Sequence, residues 1–471
     1  MLSVICQAHK RGIFVRALLI ILIILTPTIA TAGVRGQNKT PSSAVQLRQA
    51  ASHIQKGELE KAETILQSLL KQRSDVAEAF EMIGLIRVKQ QRFAEAEPFF
   101  VRALRINPRL ADAHINLGYL YRQGNRLELA RQSFQNAAAI LPGNAAVLYN
   151  LALVFADLRQ FDKAIEALKG IPASERPPDY SELLARLYIT TGDFAKAEDS
   201  LREVLQQKPD SISTLRQLAG VALKRGDAKS AWQYIAQARQ LAPNSPDLLY
   251  EFAQISLKNN LGQEAVIAMR KALLLDPDRP EFLFALGDAL LNTLTYQDAA
   301  AYLERYVKLK PDDPAGHLSY GWALYLEKDL DGARKHLEES LRLYPDSIEA
   351  YYYLGTIAYE TGDKARAVEL FSKVLERKSD HSKSLLGLGM VYLSERQYEK
   401  ARLALEASAR IDSDEPKVHY QLIQVYARLG NEDGATREQK LYAEAQMKAE
   451  ERKKLSGILP FSAPREAAKP K

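Results

Sequence analysis

Between about residues 43 and 449, apolar residues recur at i, i+3, i+4 and i+7 in short segments separated by polar turn residues. That spacing places the apolar positions on one face of an α-helix. The stretch LGTIAYETGDKARAVELF (Leu354–Phe371) shows the unit of the pattern: an apolar helical segment, the turn Gly362-Asp363, and a second apolar segment. Shifted by 34 residues, it matches itself along the chain, as LGMVYLSERQYEKARLAL from Leu388, YGWALYLEKDLDGARKHL from Tyr320 and LGYLYRQGNRLELARQSF from Leu117. The pattern therefore predicts a series of helical hairpins.

Small residues hold fixed places in the pattern. Alanine occupies one position of every unit, from Ala62, Ala96 and Ala130 through Ala367, Ala401 and Ala435. Twelve residues earlier stands Gly or Ala, as at Ala50, Gly84, Gly118, Gly287, Gly355 and Gly389, except in the last unit, which has Ile423. Small residues on both helices allow their backbones to approach closely, where a bulkier side chain would overpack the contact at a cost of about 1–3 kcal/mol. Proline closes many units (Pro108, Pro142, Pro209, Pro243, Pro277, Pro311, Pro345), since it cannot continue a helix.

On these residues the chain resembles the tetratricopeptide repeat family, in twelve units starting near residues 43, 77, 111, 145, 178, 212, 246, 280, 314, 348, 382 and 416. The resemblance implies an all-α solenoid, a right-handed superhelix of helix-turn-helix units whose first helices line a concave wall. Twelve units in register leave no room for a separate catalytic domain. The fourth unit is one residue short, and its second helix is expected to stop near Lys169-Gly170, before the proline-rich IPASERPPD. A last helix, roughly Asp433–Leu455, is expected to cap the array, with residues 450–471 its end and a basic tail.

In such an array function belongs to the groove, which accepts extended peptides or partner helices. The groove face falls at unit positions 2, 5, 6, 9, 12 and 13. Units nine to eleven are apolar there: Leu318, Trp322 and Tyr325; Tyr352, Tyr353 and Tyr359; Leu386, Met390 and Leu393. Two readings stand side by side, a binding surface for an apolar or aromatic peptide segment and packing between repeats. A second candidate comprises Asn116 and Asn150, both at position 6, with Tyr119, Arg122 and Tyr149 nearby; asparagine can both donate to and accept from a peptide backbone. The Lys/Asn/Asn/Lys/Arg clamp of chaperone-binding members is absent. The tail motif ILPF (Ile458–Phe461) could return to the groove of units nine to eleven.

The chain ends change the picture of where the array works. Lys10, Arg11 and Arg16 precede the apolar ALLIILIIL (Ala17–Leu25) and the small-x-small site Ala30–Ala32. This order reads as an export signal over residues 1–32, followed by a flexible leader, residues 33–42. The expected location is periplasmic or extracellular, with an uncleaved anchor as the alternative and membrane contact confined to that case. The only cysteine, Cys6, lies in the signal, so the processed chain has neither disulfide nor thiol chemistry. Of the net charge of +6, the signal carries +3 and the residues from Met447 onward +4, which leaves the body near −1. A nucleic-acid binder carries its basic surface on the body, so nucleic acid is not expected as a partner.

The sequence carries no complete catalytic or cofactor motif of the common kinds. GLGMVY (Gly387–Tyr392) lacks the third glycine of a dinucleotide loop and falls within a repeat helix. Phosphate-loop, nucleophile-elbow and zinc-protease motifs are missing. His53, His114, His317, His336, His381 and His419 do not pair at ligand spacing on one helix face. The sequence thus predicts a non-enzymatic interaction scaffold or adaptor of the cell envelope, without cofactor or metal, serving assembly, secretion or polysaccharide export. The alternative is a superhelix that stacks sugars on Trp322 and its neighbouring tyrosines.

Overall fold

The computed structural model describes residues 42–456, with side chains through Glu451. The expected export signal, nearly all of the leader and the ILPF motif lie outside the described residues. Among these residues there are twenty-four α-helices, one 3-10 turn and no strand. They divide into two compact bodies, one ending at Pro142 and one beginning at Gly143. The first body holds three hairpins: α1 (Ser43–Gln55) with α2 (Leu59–Gln72), α3 (Ala77–Lys89) with α4 (Phe93–Ile106), and α5 (Ala111–Gln123) with α6 (Leu127–Ile140). The second begins with α7 (Ala145–Asp157) and α8 (Phe161–Lys169), α9 (Tyr180–Thr191) and α10 (Phe194–Gln207), α11 (Ile212–Lys224) and α12 (Ala228–Leu241), and α13 (Pro246–Lys258) and α14 (Gly262–Leu275). It continues with α15 (Pro280–Asn292) and α16 (Tyr296–Leu309), α17 (Pro314–Leu326) and α18 (Leu330–Leu343), and α19 (Ile348–Glu360) and α20 (Lys364–Arg377). The last two hairpins are α21 (Ser382–Ser394) with α22 (Tyr398–Ile411) and α23 (Pro416–Arg428) with α24 (Glu432–Ser456). No helix among the described residues is long and apolar enough to cross a membrane.

Local chemistry sets the helix ends. Asp193, Asp227, Asp329 and Asp363 accept a backbone N–H at the start of second helices, and Ser211, Ser245, Asp313 and Ser347 do so for first helices. Such caps satisfy donors that the helix itself leaves unpaired. Pro246, Pro280, Pro314 and Pro416 occupy first helical positions, where proline forfeits no hydrogen bond. Every hairpin turn contains a left-handed residue at the same repeat position: Gly57, Gln91, Asn125, Arg159, Gly192, Gly226, Asn260, Leu294, Lys328, Gly362, Arg396 and Gly430.

Within each hairpin, the small residue of the first helix lies under a large side chain of the second. A Cβ on Gly84, Gly118 or Gly355 would come within 2.7, 2.7 and 2.8 Å of the rings of Phe100, Phe134 and Phe371, which are buried. The expected close approach of two small residues is therefore only part of the packing; the space left by glycine is filled by the aromatic ring sixteen residues on. Where the first helix carries alanine (Ala50, Ala152, Ala185, Ala219, Ala253), the corresponding residue is Leu66, Leu168, Leu201, Ile235 or Met269. Phenylalanine is matched only with glycine, whereas leucine accompanies either alanine or glycine, as in Gly287–Leu303, Gly321–Leu337 and Gly389–Leu405.

First helices also touch the first helices of adjoining hairpins, α1–α3–α5 in the first body and α13–α15–α17–α19–α21–α23 in the second. These helices thus form one wall of each stretch. The fourth hairpin has a shortened second helix, which ends at Lys169 as the sequence predicts. Ile171 and Tyr180 remain buried on either side of the proline-rich link, and α8 still packs on α9, so stacking continues across the irregularity. The expected last helix is α24, the second helix of the twelfth hairpin, extended to 25 residues, and Lys448 on its extension pairs with Asp414 at 2.8 Å.

Candidate functional site

The apolar groove residues expected in the ninth to eleventh hairpins separate into two groups. Tyr353 and Leu386 are buried, at 8% and 9% exposure. They belong to the core rather than to a groove surface, because the helix faces that carry them meet the neighbouring hairpin. Leu318, Trp322, Tyr325, Tyr352, Tyr359, Met390 and Leu393 are half-buried. They sit on α17, α19 and α21 against the core, with one edge exposed.

The aromatic members are joined to one another. Trp322 lies nearly parallel to Tyr353, with ring centroids 4.2 Å apart, and to Tyr325 at 5.2 Å. Tyr352 contacts Tyr353 at 5.3 Å and His381 edge-on at 5.3 Å. The result is a row of rings running from Tyr325 to His381 across three first helices. Stacked and edge-on contacts of this kind stabilise by about 0.5–1.5 kcal/mol each beyond burial. The Tyr325 hydroxyl donates to Glu360 at 2.5 Å, and burial together with this bond pushes the phenol above its ordinary range. His381 accepts the backbone N–H of Ser384 and caps α21; burial, with Lys378 and Lys383 nearby, pulls its imidazole down to about 4. The row is therefore both inter-repeat packing and a surface, and the two readings of these residues meet in the same side chains.

The asparagine candidate takes a different form. Asn116 and Tyr119 lie on α5 in the first body, and Tyr149 and Asn150 on α7 in the second. Asn116 donates to Glu81 of the preceding hairpin at 2.7 Å, and Tyr119 meets Phe134 edge-on at 5.4 Å. Asn150 is buried and donates to the Ala146 carbonyl within its own helix. It does not present a free amide edge to a peptide, because a polar group at this depth is bonded locally. Glu81 is buried too; burial first, then nearby Asp112, push its carboxyl up to about 8 against the opposing effect of the Asn116 bond.

The histidines show what single-helix spacing cannot reveal. His317 on α17 and His336 on α18 face each other, with an Nδ1–Nδ1 distance of 2.9 Å and rings stacked at 5.2 Å. At the same two repeat positions in the last hairpin, His419 meets Glu438 at 2.7 Å. The signal was present in the sequence as paired positions of one hairpin rather than as neighbours on one helix. Among the described residues no group of three or more His, Cys, Asp or Glu is arranged to hold a metal ion.

Comparison with known proteins places this architecture. The curated relatives matched include Superkiller protein 3 of Schizosaccharomyces pombe, 27% identical over 132 residues, which are 26% of this chain and 10% of that protein. Cellulose synthase operon protein C of Pseudomonas fluorescens is 22% identical over 232 residues, covering 38% of this chain and 18% of that protein. The chain thus spans less than a fifth of the length of these relatives. Among solved structures, the Naa15/Naa10 complex bound to HypK-THB aligns with a TM-score of 0.45 at 17% identity, over 85% of this chain and 68% of that chain. Sequence models of the tetratricopeptide repeat match residues 47–111, 82–145, 123–187, 182–246, 250–314, 284–348, 321–382 and 352–416. With matches extending through both bodies, the chain belongs to the tetratricopeptide repeat family.

Proposed function

We propose that this protein is a protein–protein interaction scaffold that receives a peptide segment or partner helix along α17, α19 and α21. The observation that carries the reading is the row of half-buried apolar and aromatic side chains on three consecutive first helices: Leu318, Trp322, Tyr325, Tyr352, Tyr359 and Met390. An apolar patch that is rich in Tyr and Trp is the kind of surface from which binding hot spots are built. The rings are held by one another, so little side-chain entropy remains to be lost on binding. The ends of the chain support a place in the cell envelope, since residues 1–32 have the order of an export signal.

The sugar-stacking alternative is disfavoured by one feature. Trp322 already has two near-parallel tyrosine rings beside it, leaving its indole engaged rather than available as an open platform.

The test is crosslinking capture from separated envelope and cytosolic fractions of cells that express the chain. Tyr359→Ala/Met390→Ala is compared with the wild type after circular dichroism has established that both fold. A defined protein captured from the envelope by the wild type and at least several-fold less by the variant supports the reading. Equal capture by both removes the surface from consideration, and capture only from cytosol removes the envelope setting.

A further inference from the structure

The ninth hairpin holds a pair of histidines whose mutual hydrogen bond has a fixed direction. His317 is buried, and its Nε2 lies 2.9 Å from the Pro311 carbonyl. A carbonyl only accepts, so His317 Nε2 carries the proton and donates. Its Nδ1 is then the acceptor in the neutral ring, and His336 Nδ1–H must donate across the 2.9 Å contact. One added proton can sit on His336 Nε2 with this bond intact. A second, on His317 Nδ1, would set two N–H groups head to head.

The surroundings disfavour even the first proton. His336 is half-buried, with its ring 4.5 Å from that of Tyr320. From α18, Lys335 faces it with the same charge; Glu339 opposes that charge but is bonded to Arg342 at 2.6 and 2.8 Å. Asp329, which caps α18, also favours the cation. On the preceding side, Glu304 of α16 faces Tyr320, Asp312 faces Arg342, and Asp313 accepts from the Tyr306 hydroxyl. Burial, followed by His317 and Lys335, outweighs the carboxylates and holds the His336 imidazole below its ordinary value.

The twelfth hairpin supplies the contrast. His419 makes the same loop contact, Nε2 to the Ser413 carbonyl at 3.0 Å, but its Nδ1 faces the carboxylate of Glu438. Protonation there meets a counter-charge; in the ninth hairpin it meets another histidine.

We propose that the His317–His336 contact is an acid-sensitive latch between α17 and α18, which acid opens because the closed contact accommodates at most one added proton and the parted rings two, loosening the helix that carries Leu318, Trp322 and Tyr325. The opening is a property of the hairpin alone; its consequence for a partner rests on the function proposed above. The sign is set by linkage. The unfolded histidine takes up its proton near 6.5, whereas the folded one resists it, so the latch is fully closed above about pH 6.5 and weakens as pH falls below that value.

The experiment is amide hydrogen exchange on the full chain between pH 5 and 8, corrected for the intrinsic pH dependence of exchange. Protection of residues 311–343 is compared with that of 413–440, the internal control. The wild type is expected to lose protection several-fold in 311–343 on going from pH 7 to 5, while the control window holds. His336→Gln, whose amide can turn its oxygen toward a protonated His317, reduces the local pH dependence, and His336→Glu, which reproduces the pairing of the last hairpin, keeps the segment protected at pH 5. Parallel behaviour of the two windows in the wild type overturns the proposal, as does His336→Gln responding to acid like the wild type. Should His336→Gln fail to fold at pH 8 by circular dichroism, the wild-type windows and His336→Glu decide alone. Partner capture is not read here, so failure of the latch and failure of the scaffold reading are distinguishable.

Discussion

Gly355 and Phe371 are fitted to each other, with Gly387 of the next hairpin against the same ring, and the fit sets the cost of changing any of them. A Cβ at 355 would meet the Phe371 ring at 2.8 Å, and that ring is only 2% exposed. Gly355→Ala is expected to lower stability by about 1–3 kcal/mol through overpacking. Adding Phe371→Leu restores most of the loss in urea titrations, because alanine already accompanies leucine in several hairpins. Independent, additive effects of the two changes would contradict the pairing. The small position was legible in the sequence; its partner was less so, because the fill comes from a residue sixteen positions on. Glu81 gives a second residue-scale prediction. Its carboxyl is pushed up to about 8 when folded, so the folded state retains a proton that the unfolded state releases near 4.5. Stability contributed by the protonated form is complete below about pH 4.5 and is lost as pH rises through 8. Glu81→Gln, which leaves an amide beside Asn116, should therefore raise the urea midpoint at pH 8 and change little at pH 4.5. An equal effect at both values would mean that Glu81 does not carry this proton.

At the scale of the element, each hairpin is shaped by one backbone conformation more than by one residue type. All twelve turns pass through positive φ, yet the residue there is glycine in some and Gln91, Arg159, Leu294 or Arg396 in others. The sequence revealed the turn where it reads Gly-Asp and concealed it elsewhere, because tertiary packing of both helices outweighs the local preference of the connecting residue. A non-glycine residue in this conformation costs roughly 1–2 kcal/mol. At Leu294 the side chain is 41% exposed and φ is +60°. Leu294→Gly is expected to stabilise the chain by about 1 kcal/mol, the strain relieved less the added freedom of the unfolded chain. Thermal melts of the two proteins measure it, and a lower melting temperature for the variant would show that the Leu294 side chain contributes packing that outweighs its strain. The first helices, by contrast, were placed almost to the residue by the 34-residue register, the exception being α9, which starts at Tyr180 after the two prolines.

Within each body the hairpins are held by contacts between neighbours, and this also limited what the sequence could disclose about the site. Apolar periodicity identifies a repeat, but Tyr353 and Leu386 carry the same apolar signal as Trp322 and Met390. Only the adjoining hairpin decides which of them is buried. Likewise, His317 and His336 meet only because two helices close against each other. Nearest-neighbour stacking has a thermodynamic consequence, since stability becomes a sum over hairpins and the interfaces between them. The last interface is apolar: Leu386, Ala401 and Leu405 pack with Val418, Leu422, Val425 and Tyr426. Ending the chain before Pro416 removes α23 and α24 and exposes that face. The shortened protein should lose helical signal in proportion to the residues removed, unfold at a lower urea midpoint, and associate more readily through the uncovered Leu386 surface. Charged substitution of Leu386 in the shortened chain should restore the monomer without restoring the midpoint, because solubility and interface stability are separate properties of the exposed face. Circular dichroism, urea titration and light scattering separate these outcomes. Complete loss of structure on removing this one hairpin would show that the array folds as a single cooperative body rather than by the addition of neighbours.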